Sequence, residues 1–237
     1  MDIIIFENKT ALAVAFCEEL IRLLIDKKKF YMALSGGSTP QIVYHLLAEQ
    51  YRNKVDWNKI HFFWGDERCV PPDDEQSNFG MTKKILLNHI HISESNIHPI
   101  DGNNIPEKET KRYSEEISKF VKFKNELPGF NLIMLGIGRD GHTASIFPDQ
   151  MNLIDSEKIC ETAVHPQSGQ KRITLTGTVI NNADNVIFLV TGKDKAEILK
   201  ELVEKRSESE NKYPAAKIKP AGGNLKYFAD REAAALL

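Results

Sequence analysis

The chain has 237 residues, 41% hydrophobic and 27% charged, with 33 acidic against 31 basic side chains and a formal net charge of −2. That length allows one large domain or two small ones, and the composition is that of an ordinary soluble protein able to bury a core. The near balance of charge excludes a broad basic field for nucleic acid, so an anionic ligand must be caught by local charges.

The N-terminus carries Asp2 and Glu7 where a secretory leader needs basic residues, and the apolar stretch 11–16 is followed at once by Glu18 and Glu19. It reads as a helix face and not as a leader. No run reaches membrane-spanning length. Cys17, Cys69 and Cys160 are scattered, with neither a disulfide framework nor metal-ligand spacing, which points to a reducing cytosol. The sequon Asn8-Lys9-Thr10 has no meaning without secretion.

Residues 3–6 read as a strand. Residues 9–28 carry Leu12, Phe16, Leu20, Leu23 and Leu24 at helical spacing, with Lys27, Lys28 and Lys29 expected to complement the dipole at the helix end. A second strand, 30–34, runs into Ser35-Gly36-Gly37-Ser38-Thr39-Pro40. Small residues followed by a proline suited to a first helical turn mark a strand–loop–helix junction, whose amides and hydroxyls suit phosphate or sugar. Ser35 is not in a G-x-S-x-G elbow, which argues against a serine nucleophile.

A helix over 41–51 and a strand over 60–64 follow. Asp66, Glu67 and Arg68 then open a long charged loop, 65–78, beyond the strand's carboxyl end, where ligand groups collect in open α/β sheets. Arg68 could present its fork to a phosphate, a hydroxyl or a developing oxyanion, and the two carboxylates could pair with it or with a sugar. Asn78 is expected to cap a helix over 79–89. His89, His91 and His98 lack the cysteine or carboxylate that would complete a metal pattern and are read as structural. A charged helix with Tyr113, Ile117 and Phe120 on one stripe is expected over 106–126.

The most informative stretch is Leu132 to Pro148. Leu132 to Leu135 suit a strand buried on both faces of a parallel sheet. The loop that follows holds Gly136, Gly138, Asp140, Gly141 and His142. Residues 136–141 spell G-x-G-x-x-G, but a dinucleotide fingerprint needs a helix to begin inside the motif, and Pro148 cuts any helix short. His142, in a glycine-rich loop with no apolar helical face to fill, is the candidate general base, with Asp140 close enough to orient it. Strands are expected over 158–164, 172–176 and 186–191. Lys195 then starts a helix beside exposed amides, again suited to an anion. A last short strand and a closing helix capped by Asp230 complete the chain.

Four segments occur together and in order: SGGSTP at 35–40, FWGDERCVPPDDEQSN at 63–78, LGIGRDGHTASIFP at 135–148 and RITLTGTVINNADNVIFLVTGKDKAEIL at 172–199. The chain resembles the 6-phosphogluconolactonases, within the wider glucosamine-6-phosphate deaminase superfamily. The likeness runs over nearly the whole chain. It lacks the ATGSTP, DEY and GHIAFNEP segments typical of the deaminases, and it departs from the lactonases at HPQSGQK, 165–171, where prolines are usual. The resemblance implies a three-layer α/β sandwich with a central, mostly parallel sheet, one domain over 1–237, in the cytoplasm. It implies hydrolysis of a sugar phosphate lactone with no metal or organic cofactor, and no nucleic-acid or membrane partner, by a monomer or weak homodimer. Carried over by position, it makes His142 the catalytic base, Asp140 the acid beside it and Arg68 an active-site arginine. Ser35, Gly36, Gly37, Ser38, Thr39, Asp66, Arg172 and Lys195 are expected around the substrate, with Lys195 and Arg172 on the phosphate.

Three other readings compete. An isomerase or deaminase on the same fold would need a base over C2 and a site for the amine. A sugar-phosphate sensor would be expected to carry a helix-turn-helix module ahead of this domain, whereas the first strand is expected at residue 3. An NAD oxidoreductase comes third.

Overall fold

Six short runs rich in apolar residues line up side by side as a parallel sheet in the computed structural model, which describes residues 2–237. In chain order the elements are β1 (Asp2–Phe6), α1 (Lys9–Leu24), β2 (Phe30–Leu34), α2 (Ser38–Glu49), β3 (Ile60–Trp64), β4 (Asp66–Arg68), α3 (Asn78–Ile85), α4 (Pro106–Phe120), β5 (Phe123–Lys124) and β6 (Leu127–Pro128). Then come β7 (Leu132–Leu135), β8 (Cys160–Val164), β9 (Lys171–Leu175), α5 (Gly177–Asn181), β10 (Asn185–Val190), α6 (Ala196–Glu204), α7 (Arg206–Ser209) and β11 (Asn224–Asp230). The parallel sheet has the order β1-β11-β10-β7-β2-β3, and helices flank it as a three-layer α/β sandwich. A smaller antiparallel sheet, β4-β9-β8, and the β5-β6 hairpin stand apart from it.

Strands β2, β3 and β7 are buried at every residue, which is what a sheet covered on both faces requires of its side chains. Helix α1 turns Leu12, Phe16, Leu20 and Leu24 into the core, and the Asn8 side chain accepts from the Thr10 and Ala11 amides at its start. The helix stops at Leu24, and Asp26, at φ 61°, turns the chain away. Lys27 to Lys29, expected within the helix end, therefore lie past it, where the Lys27 amide donates to the Leu24 carbonyl at 3.2 Å. The Tyr113 phenol of α4 donates to the Trp64 carbonyl at 2.9 Å and accepts from the Trp64 amide at 2.8 Å, so it fixes the end of β3.

After β2 the chain moves outward to β3, and its later strands β7, β10 and β11 build in the opposite direction. The order reverses between β2 and β7, and the loops leaving Leu34, Trp64, Leu135 and Val190 all open there, at the carboxyl ends.

Four expectations are corrected. Asp66, Glu67 and Arg68 are not loop but strand β4, antiparallel to β9, with Arg68 directly opposite Arg172. Ser77, not Asn78, caps α3: its Oγ accepts from the Gly80 amide at 2.9 Å, and Asn78 is the first helical residue. The closing segment forms turns and not a helix. There the Asp230 carboxylate accepts from the Ala233 amide at 2.8 Å and the Gly192 amide at 3.0 Å. Glu67, offered above as a sugar or arginine partner, instead clamps the start of α3. It accepts from the Asn78 and Phe79 amides at 2.8 and 2.7 Å and from the Ser77 hydroxyl at 3.0 Å. A buried carboxylate at a helix N-terminus satisfies amides that would otherwise be orphaned.

Of the three histidines read as structural, His91 is exposed and the other two have partners. His89 sits 3.2 Å from the Lys84 carbonyl, and His98 is part of a buried relay with His61, absent from the original trio. Because the Glu116 carboxylate can only accept, His98 Nδ1 donates to it at 2.7 Å and His98 Nε2 accepts from His61 Nδ1 at 3.0 Å. Burial pushes both imidazoles down from 6.5, His61 to about 4. The unfolded chain takes up these protons first, so stability is intact above pH about 6.5 and is lost as pH falls from there through the folded values. The melting temperature is expected to drop between about pH 7 and pH 5, before ordinary carboxylates titrate; an unchanged melting temperature over that window would contradict a neutral relay. Among the described residues no helix is long and apolar enough to cross a membrane, and no group of three His, Cys, Asp or Glu side chains could hold a metal ion.

Candidate active site

The loop leaving β7 folds back on itself. The Gly138 amide donates to the His142 carbonyl at 2.9 Å, the Gly141 amide to the Gly138 carbonyl at 3.0 Å, and Thr143 bridges Ile146. No helix begins within residues 136–141, so the G-x-G-x-x-G spelling is not a dinucleotide fingerprint here. The glycines have local reasons instead. A side chain on Gly138 would run into the His142 ring and the Asp140 carboxylate, while Gly141 takes φ 77° with the Tyr213 ring pressed against its α-carbon.

This turn sets the imidazole. His142 Nδ1 lies 2.6 Å from Asp140 Oδ1, which also accepts from the His142 amide at 3.2 Å, and the ring packs 4.9 Å from Phe147. Burial pushes the Asp140 carboxyl up, but the side-chain hydrogen bond and charge of His142, with the backbone hydrogen bonds, together outweigh it and hold the group below its ordinary value. An ionised carboxylate only accepts, so the Nδ1 position carries the proton and the lone pair of the neutral ring is on Nε2. His142 Nε2 has no hydrogen bond among the described residues, and the side chain, 28% exposed, lines a cavity of about 330 Å³.

The second wall is the β2–α2 junction. Gly37 precedes the helix, no side chain caps it, and Ser35, Gly36, Gly37, Ser38 and Thr39 all line the cavity. The open first turn of a twelve-residue helix is an anion-attracting surface. Thr39 Oγ1 lies 2.6 Å from Thr191 Oγ1, which ties this junction to the loop leaving β10.

The third wall carries Arg68 and Arg172, directly opposite each other on β4 and β9. Arg68 Nη1 donates to the Gln76 carbonyl, Arg172 Nη1 donates to Ser145 Oγ at 3.4 Å, and the Arg172 guanidinium lies 5.6 Å from the Phe147 ring centre. Neither is in an ion pair among the described residues, and the buried Nε of each has no partner. Burial pulls the Arg172 guanidinium down, and Arg68 adds to the pull. Like charges directly across a strand pair are destabilising. Asp66, on the same wall, offsets part of the charge on Arg172, but the pair makes no ion pair of its own among the described residues and is suited to an anion.

The fourth wall is the loop after β10. The Asp230 carboxylate pins its Gly192 amide, and Lys195 Nζ stands 3.6 Å from Asp194, itself held by Arg139 Nε at 2.8 Å. The structure thus brings His142, Arg68, Ser35 to Thr39, Asp66, Arg172 and Lys195 to one cavity. Asp140 stands behind His142, outside the lining. Asp66 lines the cavity, but one carboxylate oxygen is engaged by Ser145 Oγ at 2.6 Å. The sequence reading missed Asn78, Ala144, Thr191 and Asp194, which also line the space. Asp194 had a signal, as the neighbour of Lys195. Ala144 had none, although at φ 48° it is a non-glycine residue in the left-handed region beside the candidate base.

Residues 7–227 match the family described as glucosamine-6-phosphate isomerases/6-phosphogluconolactonase. The chain is 46% identical over 209 residues to a 6-phosphogluconolactonase of Haemophilus influenzae, covering 87% of each chain. It is 42% identical over 195 residues to a 6-phosphogluconolactonase of Treponema pallidum, covering 82% of this chain and 81% of that one. Its fold superposes on the crystal structure of 6-phosphogluconolactonase from Thermotoga maritima with a TM-score of 0.84 at 31% identity, over 97% of this chain and 99% of the other.

Proposed function

We propose that this chain, which belongs to the family of glucosamine-6-phosphate isomerases and 6-phosphogluconolactonases, hydrolyses 6-phospho-D-glucono-1,5-lactone to 6-phosphogluconate, the lactone-opening step of the oxidative pentose phosphate pathway. The names of the Haemophilus and Treponema relatives support the lactone as substrate. The observation that carries the mechanism is the 2.6 Å contact between His142 Nδ1 and Asp140, which leaves Nε2 unpaired on a cavity walled by cations.

In this reading a water between Nε2 and C1 loses a proton to Nε2 as its oxygen attacks the carbonyl carbon. Negative charge develops on the former carbonyl oxygen, where Arg68 donates to it. Collapse of the tetrahedral centre breaks the bond from C1 to the ring oxygen, and the imidazolium returns its proton to that oxygen. The products are a carboxyl group and a free hydroxyl, and the histidine ends as it began. Lys195, Arg172 and the open turn of α2 hold the phosphate, which fixes C1 relative to the imidazole. A lactone is already an activated ester, so no covalent nucleophile is needed.

Lys195→Ala is expected to raise KM about tenfold or more, with kcat changed less than about threefold, because a charge-assisted contact to the phosphate is lost in ground and transition state alike. A fall in kcat alone would remove Lys195 from the phosphate. The reaction itself is tested by adding the protein to freshly made lactone, subtracting spontaneous opening, and running an ammonia-release assay on glucosamine-6-phosphate beside it. Accelerated ring opening without ammonia is the expected outcome. Ammonia release without ring opening would make the chain a deaminase.

A further inference from the structure

Strand β4 and strand β9 put four side chains on one face of the small sheet, Asp66 opposite Thr174 and Arg68 opposite Arg172. The centre of that face is filled by Ser145, a fully buried residue of the loop that carries His142. Its hydroxyl hydrogen goes to Asp66 Oδ2 at 2.6 Å, its oxygen accepts from Arg172 Nη1 at 3.4 Å, and its amide donates to Thr174 Oγ1 at 3.2 Å. A hydroxyl has one donor and two acceptor sites, so this use is self-consistent. Donating to a carboxylate also makes the oxygen a better acceptor for the guanidinium. Toward its N-terminus the same loop is fixed by Thr143 Oγ1, which donates to the Gly136 carbonyl at 3.0 Å, and by the left-handed turn at Ala144.

We propose that Ser145 is a positioning residue, which holds Arg172 to its place opposite Arg68 and couples the arginine pair to the loop of His142. It touches no substrate. Among the described residues it is the one joint at which Asp66, Thr174 and Arg172 all meet the segment bearing the base, so it sets the distance between the anion grip and the imidazole. The inference rests on the reading that the arginine wall binds a sugar-phosphate anion. It does not need the lactonase reaction itself.

The test uses 6-phosphogluconate as the probe, because it is stable, and titrates it by calorimetry into wild-type protein, Ser145→Ala and Ser145→Cys, with lactone kinetics in parallel. Ser145→Ala is expected to weaken 6-phosphogluconate binding about 10- to 100-fold, the loss of a hydrogen bond to a charged group, and to raise KM in step. Ser145→Cys, which keeps the shape and a weaker donor, is expected to fall between the two, and it carries the comparison if the alanine variant does not fold. A lower melting temperature with unchanged affinity for 6-phosphogluconate in the folded variants would make Ser145 a packing residue and overturn the proposal. Weakened binding in a protein whose wild type opens no lactone would leave Ser145 in its role and overturn the reaction instead.

Discussion

His142→Ala is expected to lower kcat for lactone opening by about 10²–10⁴-fold while KM moves less than about tenfold, the range in which a positioned general base acts. The split follows from where the ring stands. His142 is bound through Nδ1 to Asp140 and packed on Phe147, so its own geometry does not depend on a ligand. In the proposed mechanism its unpaired Nε2 meets the reacting water and not the phosphate, and its loss leaves Arg68, Arg172 and Lys195 in the cavity wall. A kcat within about threefold of wild type would remove His142 as the base. Equal losses of affinity and turnover would point to a collapsed loop, which Ser145 and Thr143 make avoidable by anchoring the segment independently of the ring.

Arg68→Ala is expected to lower kcat by about 10²–10³-fold, the cost of removing one donor to a developing oxyanion. Arg68 is fixed by the strand register opposite Arg172 and by its bond to the Gln76 carbonyl, so the charge is held ready in place. Preorganised donors cost no reorganisation at the moment of reaction. Arg68→Lys is expected to recover little, because a point charge cannot keep the bond to Gln76 and reach the substrate with a second donor of fixed direction. If Arg68→Ala raised KM and spared kcat, Arg68 would belong to the phosphate, and the roles of Arg68 and Arg172 would exchange.

The parallel sheet was legible because its strands are apolar runs bounded by loops, and that signal is local. Leu132 to Leu135 needed no knowledge of their neighbours to be read as a buried strand. The gathering of Ser35, His142 and Lys195 into one cavity followed from the rule that open sheets bind ligands beyond their carboxyl ends. What failed depended on distant partners. Asp66 to Arg68 read as a charged loop because a three-residue strand of charged side chains has no pattern of its own; only pairing with β9, more than a hundred residues later, makes it a strand. Glu67 could not be recognised as the clamp on α3 because its partners come from a helix whose start was misplaced by one residue. The closing segment, rich in alanine, had the propensity for a helix, yet Asp230 is engaged by both Gly192 and Ala233 and the chain closes in turns. Ser145 is a small residue in a loop, with no sequence pattern that sets it apart. Its importance lies in two strands that the sequence does not bring near it.

The central claim is that Asp140 presents the imidazole of His142 with its lone pair toward the cavity. Nitrogen-15 NMR of histidine-labelled protein, with His142 assigned by its absence from a His142→Gln spectrum, reads this directly at a pH where the spectrum itself shows the ring neutral. The predicted result is a protonated, pyrrole-type Nδ1 and an unprotonated, pyridine-type Nε2 in the wild type, with the tautomers mixed in Asp140→Asn. A proton on Nε2 in the wild-type protein would leave no base facing the lactone and would contradict the mechanism.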